Sequence, residues 1–263
     1  MKRIFVDQLE RRVNLSSFPP KRIVSLVPSQ TELLFSLGLD EEVVVITKFC
    51  VHPESWFHNK TRVGGTKQLK VDVIHELKPD LIIANKEENL KEQVEELEKD
   101  YPVWVSDVND LDDACKMIGA IGHITGKLPA AQRLISAIRF EFSQLEAHGY
   151  RPKTAYLIWK DPYMTVGGNT FIHSMLEAAR FENVFAGKTR YPEVSIDELK
   201  ATKPDLLLLS SEPYPFRQKH IDEWRQFLPA TKIILADGEM FSWYGSRLQY
   251  APSYFNTLRN QLK

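Results

Sequence analysis

The segment "VDVIHELKPDLIIANKEEN" (residues 71–89) returns in altered form as "IDELKATKPDLLLLSSEPY" (residues 196–214). The tetrapeptide Lys-Pro-Asp-Leu starts at Lys78 and again at Lys203, so the two copies lie 203 − 78 = 125 positions apart. A repeat whose period is about half the chain excludes a solenoid of short repeats, and it predicts two related lobes.

The repeat also relates side chains that carry chemistry. The same offset pairs Asp72 with Asp197, Asn85 with Ser210, and Glu87 with Glu212. A carboxylate that recurs just after an apolar run in both copies favours a functional role over a solvated surface position. The alternative is that Glu87 simply lies near a helix start, where carboxylates are favourable in any protein.

Composition and charge narrow the class of protein. The chain has 263 residues, of which 43% are hydrophobic and 26% are charged, as in ordinary soluble globular proteins. Its formal net charge of −1 gives no basis for a nucleic-acid partner. Cys50 and Cys115 have no Cys-x-x-Cys spacing, so we expect buried thiols and neither a disulfide framework nor a zinc site.

The start of the chain has no targeting pattern. Charged residues interrupt "MKRIFVDQLERRVNL", where a signal peptide needs a continuous apolar core. No later run approaches the ~20 apolar residues of a membrane span. We therefore expect a chain without an export or lipid-attachment signal, which would be cytoplasmic if it is the whole gene product, and we expect a monomer.

Strands and helices alternate along the chain, which predicts α/β layers with parallel sheets. A hairpin is predicted over "RIFVDQLERRVNL", and "RIVSLV" is predicted as a buried strand. A helix is predicted over "PSQTELLFSLGL", with Ser29 as its cap, Glu32 completing a capping box and Gly38 ending it. Later apolar runs such as "DLIIAN", "TAYLIW" and "DLLLLSS" predict further strands.

Two consecutive helices interrupt this alternation between residues 111 and 148. In the second, apolar residues recur every three or four positions, and its length of roughly 30 Å at ~1.5 Å per residue is enough to link two lobes. The predicted fold is α/β, with two Rossmann-like lobes that contain parallel sheets and are joined by one long interdomain helix. The predicted domains are an N-terminal lobe (1–115), linking helices (116–149) and a C-terminal lobe (150–263).

In parallel α/β layers, ligands bind beyond the carboxyl ends of the strands. The residues at these positions are aromatic or charged, and they predict a cleft for a large, partly apolar ligand with polar groups or a metal. The predicted apolar walls include Trp159, Tyr163, Tyr214, Trp243 and Tyr244. The predicted polar contacts are Glu87, Glu212, Glu239 and Arg247. The alternative is that these aromatics pack in separate lobe cores.

Motifs for common enzyme chemistries are absent from the sequence. It has no phosphate-binding G-x-x-x-x-G-K-[ST], no G-x-G-x-x-G after the first strand, no H-E-x-x-H and no G-x-S-x-G. The segment "VGGTK" (63–67) is too short for a phosphate loop and predicts a turn. We therefore predict a binding protein without catalytic residues. A metal-dependent enzyme that uses Glu87, Glu88 and Glu212 is the alternative.

The chain resembles the substrate-binding proteins of ABC importers for vitamin B12 and ferric siderophores, and most closely the helical-backbone metal receptors (periplasmic binding protein class III). Nearly the whole chain takes part in this resemblance. Its motifs are "KRIVSLVPSQTELLFSLGL", "VGGTK", "LKPDLIIANKEEN", "TFIHSMLEAA", "RYPEVSIDELKATKPDLLLLSSEPYPF" and "EMFSWYGSR".

The resemblance implies a receptor that holds cobalamin, a ferric siderophore or haem between two lobes, with no intrinsic cofactor. It implies an extracytoplasmic location and an ABC permease as partner, docked through Asp72 and Asp197, where the family commonly has glutamate. Tyr191 stands at one position where the family has a B12-contacting tryptophan. Thr66 and Asn85 replace two other aromatic contacts. A cytosolic protein that handles metallophores is a further alternative.

Overall fold

The computed structural model describes residues 3–146 and 149–262, and the chain divides into two compact units. The first unit comprises Met1–Val108, Asp112–Ile138 and Tyr244–Arg247. The second comprises Asn109–Leu111, Arg139–Trp243 and Leu248–Lys263. A four-residue segment of the C-terminal half therefore belongs to the first unit. The domain bounds at residues 115 and 150 stay a prediction.

The strands of the first unit are short and mostly apolar. They are β1 (Arg3–Val6), β2 (Arg12–Leu15), β3 (Ile23–Ser25), β4 (Val43–Ile46), β5 (Thr61–Arg62), β6 (Gly64–Gly65), β7 (Gln68–Leu69), β8 (Leu81–Asn85) and β9 (Val103–Ser106). The helices that lie wholly or mostly in this unit are α1 (Pro28–Ser36), α2 (Glu54–Asn59), α3 (Val71–Leu77), α4 (Lys91–Glu98), α5 (Leu111–Ile124) and α6 (Leu128–Ser143).

The main sheet of the first unit is parallel throughout, in the order β5-β4-β3-β8-β9. Every residue of β3, β8 and β9 is buried, which explains their continuous apolar sequence without polar alternation. The predicted N-terminal hairpin is confirmed, since β1 and β2 pair antiparallel. A second small hairpin, β6-β7, forms at the predicted "VGGTK" turn.

The second unit contains β10 (Lys153–Trp159), β11 (Met164–Thr165), β12 (Glu182–Asn183), β13 (Leu206–Ser210) and β14 (Lys232–Ala236). Its helices are α7 (Phe171–Ala178), α8 (Ile196–Ala201), α9 (Gln218–Phe227), α10 (Glu239–Ser242) and α11 (Ala251–Asn260). The strands β12, β13 and β14 run parallel to their partners, and β11 is an antiparallel edge strand on β10. The α/β class with parallel sheets is thereby confirmed, while the two-residue edge strand β11 was not predicted.

The Lys-Pro-Asp-Leu repeat forms the same local structure in each unit. Lys78 and Lys203 both have a left-handed backbone, with φ of 46° and 47°, and each lies just after the helix that precedes the strand. The aspartate two residues later then binds backbone N–H groups at the start of the neighbouring strand: Asp80 binds those of Lys21 and Arg22 at 2.7 and 2.8 Å, and Asp205 binds that of Lys153 at 2.8 Å. The repeated motif therefore has a structural function.

Two helix predictions need correction. Ser29 does not cap α1, because Pro28 already occupies the first helical turn and Val27 is the capping residue, without a side-chain bond. Gly38, with φ of +78°, follows the end of this helix as predicted. Helix α6 has 16 residues, so its length is about 24 Å, shorter than predicted. Part of the predicted end of this helix, residues 147–148, lies outside the described residues.

Candidate functional site

The carboxyl end of β8 carries a turn with two half-buried carboxylates, Glu87 and Glu88. Asn85, the last residue of β8, organises this turn through its amide oxygen, Oδ1. That oxygen accepts the backbone N–H of Glu87 at 2.8 Å and that of Glu88 at 3.0 Å. Glu87, predicted as a ligand contact, therefore lies on a turn that is hydrogen-bonded to the strand before it.

Glu88 is bound to the segment that the C-terminal half contributes to the first unit. The Tyr244 hydroxyl donates a hydrogen bond to Glu88 Oε1 at 2.7 Å, and the Tyr244 side chain is only 6% exposed. Burial raises the pKa of Tyr244 well above its ordinary value, and the nearby Glu88 charge raises it further. Tyr244 therefore serves as a neutral hydrogen-bond donor at this carboxylate.

Arg247 lies in the same segment and forms an ion pair with Glu32 of α1. Its Nη2 and Nε lie 2.6 and 3.2 Å from the two carboxylate oxygens, which is a bidentate arrangement. Gly245 allows the segment to approach α1, because a Cβ at this position would lie 2.5 Å from the Ser29 carbonyl oxygen. Glu32, predicted to complete a capping box, instead binds Arg247. An anionic ligand would compete with Glu32 for this guanidinium.

The carboxyl end of β10 carries an exposed aromatic side chain, Trp159. It is 39% exposed and packs edge-to-face against Tyr214, with ring centroids 5.8 Å apart. Tyr214 packs in turn against Phe216, with centroids 4.8 Å apart. The structure therefore brings together two predicted aromatic contacts from the ends of β10 and β13, and it leaves part of one ring open to solvent.

The Tyr163 hydroxyl is hydrogen-bonded to the ion pair of Lys160 and Glu223. It donates to Glu223 Oε1 at 3.0 Å, while Lys160 Nζ lies 2.9 and 2.6 Å from the two oxygens of the same carboxylate. The hydrogen bond from Lys160 lowers the pKa of Glu223. Burial raises the pKa of Tyr163, and the bond to Glu223 adds to the shift. The ring packs on the buried Trp224, so Tyr163 has a defined orientation.

Glu212, which the repeat pairs with Glu87, accepts one hydrogen bond from the last residue of α10 and one from the residue after it. Ser242 Oγ donates to Glu212 Oε1 at 2.5 Å, and Trp243 Nε1 donates to the same oxygen at 3.0 Å. Burial raises the pKa of Glu212, the Ser242 bond opposes this shift, and the charge of Glu239 adds to it. Trp243 is 6% exposed, so its indole faces other protein atoms more than solvent.

The remaining predicted residues are half-buried or exposed. Glu239 begins α10, and its N–H donates to Asp237 Oδ1 at 3.1 Å. Tyr191 is half-buried. Its neighbours Pro192 and Arg190 accept backbone hydrogen bonds from Thr165 of β11 and from Gly167. Asp72 and Asp197, the predicted docking residues, are both exposed in the first turns of α3 and α8.

Sequence reasoning missed several residues that hold these side chains in place. Glu32, Glu223 and Ser242 each bind a predicted site residue, and Lys160 binds Glu223. All four contacts join residues at least 30 positions apart in the chain, so no local sequence pattern could predict them. The short spacing of Lys160 and Tyr163 was visible, but their common partner lies 60 positions further on.

Within residues 3–146 and 149–262, no group of three or more His, Cys, Asp or Glu side chains is arranged to hold a metal ion. In the same part of the chain, no helix is both long and apolar enough to cross a membrane.

Comparisons with known proteins agree on one family. The family model described as "Periplasmic binding protein" matches residues 23–232. The vitamin B12-binding protein of Vibrio campbellii is 26% identical over 217 residues, which cover 81% of this chain and 78% of that protein. An uncharacterised ABC transporter substrate-binding lipoprotein of Bacillus subtilis is 27% identical over 243 residues, covering 87% and 76%.

A solved structure shows the same fold. The periplasmic haem-binding protein of Roseiflexus sp. RS-1, in its apo form, superposes with a TM-score of 0.79. The superposition covers 92% of this chain and 97% of that chain at 21% sequence identity. The fold class is therefore shown both by the strand topology and by this likeness.

Proposed function

The chain belongs to the periplasmic binding protein family, and we propose that it is the substrate-binding receptor of an ABC importer for a metal-bearing ligand. The observation that carries this proposal is the similarity over more than 80% of the chain to a vitamin B12-binding protein and to an ABC transporter lipoprotein. Cobalamin, a ferric siderophore and haem are the candidate ligands. The family is periplasmic, and we propose an extracytoplasmic location.

The proposed ligand contacts are the predicted residues at the strand ends. They are Glu87, Trp159, Tyr163, Tyr191, Glu212, Tyr214, Glu239, Trp243, Tyr244 and Arg247. Trp159 has the strongest support among them, because its ring is partly exposed and braced by Tyr214. Flat aromatic faces suit a macrocycle or a catecholate. Trp243 and Tyr244 are so deeply buried that they support neighbouring side chains more than they offer surface.

Permease docking through Asp72 and Asp197 is part of the same proposal. Exposed carboxylates on the first turns of two helices are accessible to arginines of a membrane partner, and charge pairing of this kind orients two surfaces as they meet. The enzyme alternative has less support, because the family is one of binding proteins.

Thermal stability in the presence of three ligands tests the proposal. Cyanocobalamin, haemin and ferrichrome are each added to the full chain at a concentration well above the expected dissociation constant. A bound ligand at 100 times its dissociation constant raises the free energy of unfolding by about 2.7 kcal/mol. We expect one of the three to raise the melting temperature clearly. Stabilisation by none of them, combined with stabilisation by a divalent cation alone, would favour the enzyme alternative.

A pair of variants then tests the site. Trp159→Ala removes the exposed ring at the end of β10, and we expect it to weaken binding of the stabilising ligand about ten-fold or more while the melting temperature changes little. Phe140→Ala is the matched control, because Phe140 is an exposed aromatic (61%) that lies within helix α6 and in none of the loops that follow the strands. Equal affinity of the two variants in a titration calorimetry experiment would contradict the assignment of Trp159.

A further inference from the structure

Asn85 stands where the resemblance places an aromatic ligand contact, yet its side chain is 2% exposed. It is directed into the protein, where Nδ2 donates to Ser106 Oγ at 2.9 Å and to the Ser106 carbonyl at 3.3 Å. Ser106 Oγ is bound in turn by Nε2 of the fully buried Gln30. The Asn85 side chain is therefore not a ligand surface, and its amide belongs to a buried hydrogen-bonded network.

The other end of the Asn85 amide faces the turn. Oδ1 accepts the N–H groups of Glu87 and Glu88, so one side chain fixes two consecutive peptide units. The Nδ2 bonds prevent the amide from turning away, because the flipped orientation would direct its oxygen at the Ser106 carbonyl. A buried amide that is satisfied at both ends holds its neighbours in one arrangement.

A second asparagine connects the same turn to the β6-β7 hairpin. Asn89 Oδ1 accepts the backbone N–H of Asn85 at 2.8 Å, and Asn89 Nδ2 donates to the Thr66 carbonyl at 3.1 Å. Lys67 Nζ, in the same "VGGTK" segment, donates to the Glu87 carbonyl. The segment that sequence analysis predicted only as a turn therefore holds the far side of the Glu87 turn.

We propose that Asn85 is a positioning residue for ligand recognition, which holds the Glu87–Glu88 turn in its binding arrangement without touching the ligand. The inference rests on the proposed function, because it assigns to the turn a role in binding. Fixing a turn before the ligand arrives removes an ordering cost from binding. Loss of the Asn85 amide should therefore weaken binding by the folded protein, in addition to the stability that the lost buried hydrogen bonds cost.

Three variants test this inference on the full chain. Asn85→Ala removes both ends of the amide. Asn85→Ser retains an acceptor next to the turn, as Ser210 does at the equivalent position in the second unit, where the Glu212 N–H lies 3.4 Å from Ser210 Oγ. Ser210→Ala is the matched control in the second unit. The probe is whichever of cyanocobalamin, haemin and ferrichrome stabilises the wild type.

We expect Asn85→Ala to bind this probe about five- to ten-fold more weakly and Asn85→Ser to recover most of the loss, as for one or two hydrogen bonds. In the absence of ligand, amide hydrogen exchange at Glu87 and Glu88 should be about ten-fold faster in Asn85→Ala and unchanged in Ser210→Ala. Unchanged affinity, or unchanged exchange at these two amides, would overturn the inference.

The two proposals fail in different ways. If the wild type binds none of the three probes, the proposed function fails, and the ligand role of Asn85 fails with it, whatever the exchange data show. If the wild type binds and Asn85→Ala binds equally well, only the role of Asn85 fails. Should Asn85→Ala not fold, Asn85→Leu removes both ends of the amide while keeping a buried side chain of similar size at this position. The same weakening and faster exchange are then expected, and their absence overturns the inference.

Discussion

Strands β8 and β13 each begin at the leucine of Lys-Pro-Asp-Leu, yet the turns that follow the two strands are held by different contacts. In the first unit, Asn85 binds two backbone N–H groups and Asn89 connects the turn to a neighbouring hairpin. In the second unit, Ser210 Oγ accepts the Glu212 N–H at 3.4 Å and donates to the Glu212 carbonyl at 2.6 Å, and Tyr214 takes the position equivalent to Asn89. Both turns are held by polar bonds, but in the first an asparagine connects the turn to a hairpin, whereas in the second a tyrosine at that position packs against Trp159 and Phe216.

This difference shows which part of the repeat is structural and which part is chemical. The helix end, the proline, the aspartate and the buried strand keep the same roles in both units, because they fix a strand to its neighbour. Beyond the strand, nothing in the sheet requires a particular side chain, so the two copies differ. Equivalent substitutions in the two copies therefore test the comparison directly.

The largest effect is expected from the repeated aspartates. Asp80→Ala removes two charge-assisted bonds to the N–H groups of Lys21 and Arg22, and we expect a loss of about 2 kcal/mol in the free energy of unfolding. Asp205→Ala removes one such bond, to the N–H of Lys153, and we expect about 1 kcal/mol. Urea unfolding of both variants measures the losses. A larger loss at Asp205 would break the equivalence of the two motifs.

A second test uses the pH dependence of Glu212. Burial raises the pKa of the Glu212 carboxyl group above its ordinary value of 4.5, so the folded state favours the protonated form. The contribution of protonated Glu212 to the free energy of unfolding is fully present below pH 4.5 and is lost as the pH rises through the raised pKa. Glu212→Gln should therefore lose less stability than the wild type between pH 4.5 and neutral pH, as measured by urea midpoints.

Glu223→Gln is the control of opposite sign. The hydrogen bond from Lys160 lowers the pKa of Glu223, so its contribution is present above the ordinary pKa and is lost as the pH falls. This variant should flatten the acid side of the same curve. A Glu212→Gln curve parallel to that of the wild type would show that this carboxylate is as well solvated in the folded state as in the unfolded chain.

The smallest effect is expected at the two helix ends. Lys78 and Lys203 have positive φ, a backbone conformation that is costly for residues with a Cβ. Lys78→Gly and Lys203→Gly should each raise the free energy of unfolding by about 0.5 kcal/mol, because the relief of strain exceeds the added flexibility of the unfolded chain. The corresponding alanine variants keep the strain and should show no gain. Thermal unfolding compares the four variants.

Much of the fold could be predicted because it depends on local patterns. The apolar runs at β3, β8, β10 and β13 predicted parallel strands, and the α/β class is confirmed. The capping of α1 by Ser29 was wrong, since Pro28 already provides the first turn. The two-residue strand β11 was missed, because a segment so short has no periodicity.

The sequence by itself determined the repeat, the parallel strands and the positions just beyond them, because strand formation and burial follow from side chains a few residues apart. Only the tertiary structure decided what those positions do. It paired Arg247 with Glu32, 215 positions away, and it directed the Asn85 amide inward to Ser106. A hydrogen bond between residues that are far apart in sequence depends on how the backbone folds. The residues next to either partner therefore do not predict it.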